Sequence, residues 1–181
     1  MKFGDRLVAL FFAAALSATL SAPAVGATSE VSPTGFIVSL RSEVNASPHR
    51  LWESLGEVGK WWNSSHTWSG NAANLSLGRQ ASACFCERWG ANSVEHGRVV
   101  HAAEDSLLRL QGGLGPLQAL AVDAMLTFQI SQKDGKTILQ VTYRVSGNAA
   151  AALQDLAAPV DGVLGEQVRR LVAYAESGKV E

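Results

Sequence analysis

The stretch LQDLAAPVDGVLGEQVRRLVAYA, residues 153–175, places Leu153, Leu156, Val160, Leu164, Val168, Leu171 and Ala175 at steps of three and four. That spacing puts an apolar stripe down one side of an α-helix and predicts a helix that faces a core along its whole length. Gly147 and Asn148 introduce the element. Pro159 predicts a kink or break near residues 157–159, because a proline inside a helix removes one backbone hydrogen bond and crowds the preceding turn.

Upstream of this helix the period changes from 3.6 to 2. Ala124, Leu126, Phe128 and Ile130 alternate up to Lys133-Asp134-Gly135-Lys136, and Thr137, Leu139, Val141, Tyr143 and Val145 alternate beyond it. Two alternating runs joined through Asp-Gly predict a β-hairpin. Further strands are expected over residues 81–89, 94–102 and 107–111, separated by Gly90-Ala91-Asn92 and Glu104-Asp105. Nearer the N-terminus, Phe36, Val38, Leu40, Ser42 and Val44 share one face of a half-buried strand. Ser47 then offers a helix N-cap and Pro48 the first helical position. Leu51, Trp52, Leu55 and Val58 make that helix's apolar face, and Gly59 is placed to end it. Residues 60–78 read as a short second helix and a loop. The class is α+β: a curved antiparallel sheet around a long C-terminal helix, with a pocket between them.

Residues 1–27 read as an export signal, with Lys2 and Arg6 ahead of an apolar run from Leu7 to Leu20 and small residues after it. The exported chain is expected to begin near Thr28, with a second cut point after Ala24. Residues 28–34 are then a linker, 35–177 the domain and 178–181 a tail. The apolar run is short for a membrane span of roughly 20 residues, so no stable span is expected after processing. Loss of Lys2, Arg6 and Asp5 takes the formal charge from −1 to −2. A near-neutral surface without a basic run argues against nucleic acid. Periplasmic or secreted localisation and a monomeric state are expected, with no cofactor, since Gly112-Gly113-Leu114-Gly115 lacks the pattern and the following Lys-Ser/Thr of a phosphate loop.

Particular residues sharpen the fold. Ser47-Pro48 followed by Leu51-Trp52, the pair Trp61-Trp62, the segment 82–89 with Cys84-Phe85-Cys86-Glu87, Leu114-Gly115-Pro116-Leu117-Gln118, and Ala157-Ala158-Pro159-Val160-Asp161 resemble exported bacterial SRPBCC-domain proteins of the START-like, or Bet v 1-like, helix-grip superfamily. Such members are often labelled polyketide cyclase-like or Hsp90-activator-homology-like. The resemblance covers residues 36–175 and implies a ligand cavity, leaving its use open, because members include carriers, cyclases and co-chaperone domains.

The leading expectation is therefore an exported protein that holds a hydrophobic or aromatic small molecule between sheet and helix. The rival is a cyclase/dehydrase-like or hydrolytic enzyme using the same cavity. Candidate ligand-binding residues are Trp62, His66, Trp68, Cys84, Cys86, Trp89, Met125, Tyr143, Leu164 and Val168. Large indole rings suit a flat apolar ligand. For catalysis, His66 or Glu87 is the candidate for proton transfer, with Tyr143 or Arg144 steadying an oxyanion.

Cys84 and Cys86 are the only cysteines. In an extended strand their side chains share a face roughly 6.5 to 7 Å apart, beyond the roughly 3.8 Å Cβ separation of a disulfide unless a bulge intervenes. Two free thiols are expected. Cys84, Cys86 and His66 offer soft-metal donors, but small apolar packing is the preferred reading and no metal is expected.

Overall fold

A computed structural model describes residues 25–180. The first 24 residues, where most of the expected export segment falls, lie outside the described residues. Eight strands form one antiparallel sheet in the order β1-β2-β8-β7-β6-β5-β4-β3. In chain order, β1 (Val25–Ser32) and β2 (Gly35–Val44) precede α1 (Pro48–Gly56) and α2 (Val58–Trp61). Then come β3 (Leu75–Leu77), β4 (Cys84–Trp89), β5 (Asn92–Ala103) and β6 (Leu107–Gln111). The hairpin β7 (Asp123–Lys133) and β8 (Lys136–Ser146) leads to α3 (Gln154–Ser177). The curved sheet closes around α3, which packs on β2, β1 and α1.

Local chemistry explains the elements. Ser47 caps α1 by accepting from the Arg50 amide at 3.1 Å. Leu51, Trp52 and Leu55 bury its apolar face. The β7–β8 turn carries Asp134 and Gly135 at φ of 52° and 76°, the left-handed pair that matches strand twist in a two-residue hairpin. Ala124, Leu126, Phe128 and Ile130 meet Val141, Tyr143 and Val145 of β8 on the buried face.

Four expectations change. The 28–34 segment is no linker over most of its length: Thr28 and Ser29 pair with Val38 and Ile37 as part of β1. Its polar composition fits an edge strand with one side in water. The loop expected before residue 78 contains β3, too short for a period to register. The first helix ends at Gly56. Gly59 instead sits inside α2, where a Cβ would stand 2.9 Å from the Ala72 carbonyl oxygen, so glycine is there for close approach. Finally, Pro159 does not break α3, which begins at Gln154 and runs through it to Ser177. A 3-10 turn over Ala149–Ala151 precedes the helix, so the proline falls in the second turn, where the single backbone bond it forfeits is the one to Asp155.

Candidate functional site

A cavity of about 280 Å³ opens between the first half of α3 and the β3–β5 end of the sheet. Three walls enclose it. The segment after α1 gives Trp62, His66, Thr67 and Trp68; the sheet gives Leu75, Phe85 and His96; and α3 gives Leu156, Pro159, Val160, Val163 and Leu164. The turn from Leu114 to Leu117 closes the remaining side. Apart from His66, His96 and Thr67, the lining side chains are apolar or aromatic.

Aromatic packing builds the floor. Trp62 meets Phe85 edge-on at 5.5 Å between centroids, and Phe85 meets the His96 ring at 4.9 Å. Trp62 Nε1 donates to the His66 carbonyl at 2.9 Å, which fixes the loop that carries His66. Trp68 stands at the rim, 56% exposed.

Behind the apolar surface lies a sealed charge. Glu87 has a fully buried side chain and accepts from the backbone amides of Trp68 at 3.1 Å and Ser69 at 2.5 Å and from His96 Nε2 at 3.1 Å. Burial pushes the carboxyl up, but the hydrogen bonds from Ser69, Trp68 and His96 outweigh it and hold Glu87 below its ordinary value. Burial also depresses the His96 imidazole, against the opposing pull of Glu87. The pair is therefore carboxylate plus neutral imidazole at pH 7. A carboxylate only accepts, so Nε2 carries the proton and Nδ1 is left as the ring's acceptor.

A second histidine works at the mouth. His66 Nε2 lies 3.2 Å from Glu166 Oε2, and Asn63 donates to the other oxygen of the same carboxylate. The Asn63 bond is the chief reason that Glu166 stays below its ordinary value, against a smaller effect of burial.

A β-bulge positions His96. Phe85 opposes Gly97 and Cys86 opposes Glu95, leaving His96 as the extra residue of β5. Gly112 packs directly on it, where a Cβ would fall 2.4 Å from the His96 carbonyl oxygen. Tyr143, fully buried, donates to the Gly112 carbonyl at 3.0 Å and accepts from the Leu114 amide at 2.9 Å.

No family model and no curated protein matches the chain. Solved structures do. The solution structure of CalU16 from Micromonospora echinospora aligns with a TM-score of 0.59 at 13% identity, covering 91% of this chain and 79% of that one. The Aha1 dimer from Colwellia psychrerythraea gives 0.58 at 16% identity, covering 79% and 98%. DynU16, from the dynemicin biosynthetic locus, gives 0.56 at 19% identity, covering 80% and 48%. What they share with this chain is the fold, a helix grip in which a curved antiparallel sheet wraps a long C-terminal helix.

Within this helix grip, Trp62, His66, Trp68 and Leu164 line the cavity. The other eight sequence-named residues, the two cysteines among them, do not. Val168 is packed in the core beneath the helix, and Tyr143 fastens the turn at Gly112–Leu114. Burial raises the Tyr143 phenol, so it serves as a neutral donor and acceptor and steadies no oxyanion in the cavity. Met125 and Arg144 line a groove at the end of β7 and β8 away from the cavity. Trp89 ends β4 beyond the cavity wall. Glu87, named for proton transfer, is not itself in the lining and reaches it through His96 and the Trp68 amide.

The cysteines depart furthest from expectation. Cys84 and Cys86 are joined in a disulfide. Their Cα atoms are 5.3 Å apart, closer than extended strand geometry allows, at the point where β5 bulges. Phe85 and Glu87 point inward, so both sulfurs lie on the opposite face of β4, away from the cavity. His66 is on the cavity side and cannot join them. Among the described residues, the carboxylate near both sulfurs, within 4.8 Å, is Glu95.

Sequence reasoning did not place Phe85, His96 or the Leu114–Leu117 turn at the cavity. Phe85 was legible as the strand neighbour opposite in phase to the two cysteines. His96 was hidden because its facing depends on the bulge.

Proposed function

We propose that this is an exported binding protein that holds an apolar, partly aromatic small molecule beneath α3. The observation that carries the reading is the composition of the cavity: apolar and aromatic walls, with His96 held neutral on the sheet side and His66 tied to Glu166 at the mouth. Such a lining favours carriage, because several convergent titratable groups are the mark of chemistry. His96 Nδ1 supplies a single acceptor for a hydroxyl or N–H on the ligand, and Trp62 and Phe85 supply faces for its rings. Export rests on the order of charged, apolar and small residues over 1–27. A cut after Ala24 would keep every described residue of β1, Val25–Ser32, whereas one after Ala27 would remove three of them. The monomeric state is part of the same proposal.

Native mass spectrometry of protein recovered from the periplasm tests it: the expected result is a co-purifying small molecule that dissociates with its mass unchanged on denaturation. A cavity that takes up no apolar probe, in protein that is folded, would sink the reading.

A second reading has one specific observation behind it. Glu87 orients His96 as a carboxylate orients a general base, leaving Nδ1 to take a proton from a bound substrate. This is the enzyme alternative, with His96 in place of His66, Glu87 or Tyr143 as the acting group. Turnover of the co-purified molecule that is abolished by His96→Gln would favour it.

A further inference from the structure

We propose that Cys84–Cys86 is a thiol–disulfide exchange site whose redox state is felt in the cavity. A structural role explains the bond poorly. Cross-linking stabilises a fold chiefly by closing a long loop in the unfolded chain, and here the bonded residues are two apart on a strand already paired on both sides, to β3 and β5. The bond ties no distant elements together. It also imposes a geometry that an extended strand does not adopt, since the 5.3 Å Cα separation is shorter than the roughly 6.5 to 7 Å of two strand steps.

The pair is asymmetric in the way exchange requires. Cys84 is partly exposed, whereas Cys86 is 5% exposed. Cys84 sits opposite Arg98 in the strand register, and the Arg98 guanidinium is bonded to Glu95. Glu95 lies within 4.8 Å of both sulfurs and gives the reduced pair an acceptor for S–H.

The partner class is a dithiol. One partner thiolate attacks Cys84 Sγ; the S–S bond breaks, and its electron pair leaves on Cys86 Sγ, which takes a proton from water. The partner's second thiolate then attacks the partner's own sulfur in the mixed disulfide and expels Cys84 as thiolate, which is protonated in turn. Two electrons and, through water, two protons pass from the dithiol to the pair, and the partner leaves as a disulfide.

Coupling to the cavity follows from position. Phe85, between the two cysteines, contacts Trp62 and His96, and the β5 bulge that presents His96 faces the same strand step. Reduction frees β4 to lengthen there, which shifts Phe85 and the register that holds His96.

The test exposes folded protein to dithiothreitol, quenches with an alkylating reagent and reads the intact mass, while an apolar fluorescent dye reports the cavity. Two alkyl groups are expected without unfolding, together with dye affinity changed by about fivefold or more. The Cys84→Ser/Cys86→Ser variant should fold with an unchanged urea midpoint and bind dye like the reduced form. A bond that yields only after urea unfolding, or a double variant that loses its fold, would overturn exchange in favour of a structural staple. Reduction in the folded state with identical dye affinity would overturn the coupling. Because dye binding to oxidised protein is measured alongside, failure of the cavity itself is recognised separately.

Discussion

The hydroxyl of Tyr143 on β8 donates to the carbonyl of Gly112 at 3.0 Å, and Gly112 in turn rests on the backbone of His96. A residue in the middle of the sheet thus holds the turn that presses the cavity histidine into place. Tyr143→Phe removes one acceptor and one donor from a dry site and leaves the Gly112 carbonyl and Leu114 amide short of partners. The expected loss is about 1–3 kcal/mol in urea unfolding, with weaker binding of an apolar dye. Unchanged stability would refute the bracing role.

Gly112→Ala should be at least as damaging. Its Cβ would meet the His96 carbonyl oxygen at 2.4 Å and the Gly97 Cα at 2.6 Å, both backbone atoms that cannot swing aside. The strand and turn must separate, so dye affinity should fall even at temperatures where the variant stays folded. Circular dichroism melts and dye titration on the same sample separate the two effects.

Acid should weaken the fold in two stages. His96 is depressed in the folded protein, so below its ordinary value of 6.5 the unfolded chain binds the proton first, and stability falls as pH drops from there toward the folded value. Glu87 is also lowered, so its contribution is complete above 4.5 and is lost as pH falls through the folded value. Urea midpoints measured from pH 8 to pH 3 should decline in both windows. His96→Gln should abolish the upper decline and keep the lower one; a variant that retains the upper decline would place its origin elsewhere.

Trp52 and Trp62 divide between folding and binding. Trp52 is 4% exposed on the core face of α1, so Trp52→Ala should cost about 3–5 kcal/mol. Trp62 lines the cavity, and Trp62→Ala should reduce dye affinity more than it reduces stability. Urea melts that rank Trp62→Ala as the larger loss would reverse the assignment.

Exported protein should begin at Val25, with all the described residues of β1 retained. N-terminal sequencing that finds Thr28 would place the cut inside the strand, and an intact Met1 on membrane-bound protein would sink the export proposal.

Period and punctuation in the sequence were enough for the sheet's main strands, the Asp134-Gly135 hairpin, the Ser47 cap and the apolar face of α3, because each depends on neighbours a few residues away. Trp62, Trp68 and Leu164 could be placed near a cavity for the same reason: a helix face and a loop after it have only so many directions. What tertiary structure decided was phase and partnership. One extra residue in β5 turns His96 inward, and Glu87, read from the sequence as a proton-transfer candidate, becomes a sealed carboxylate behind it. Opposite that bulge, Cys84 and Cys86 are bonded on the outer face of β4, where strand arithmetic had kept them apart. Tyr143 reads as a buried strand residue from its alternation alone, but its work on Gly112 depends on a turn 31 residues away in sequence. Local pattern is written in short-range sterics and burial; the facing of a single side chain depends on register, which only the assembled sheet sets.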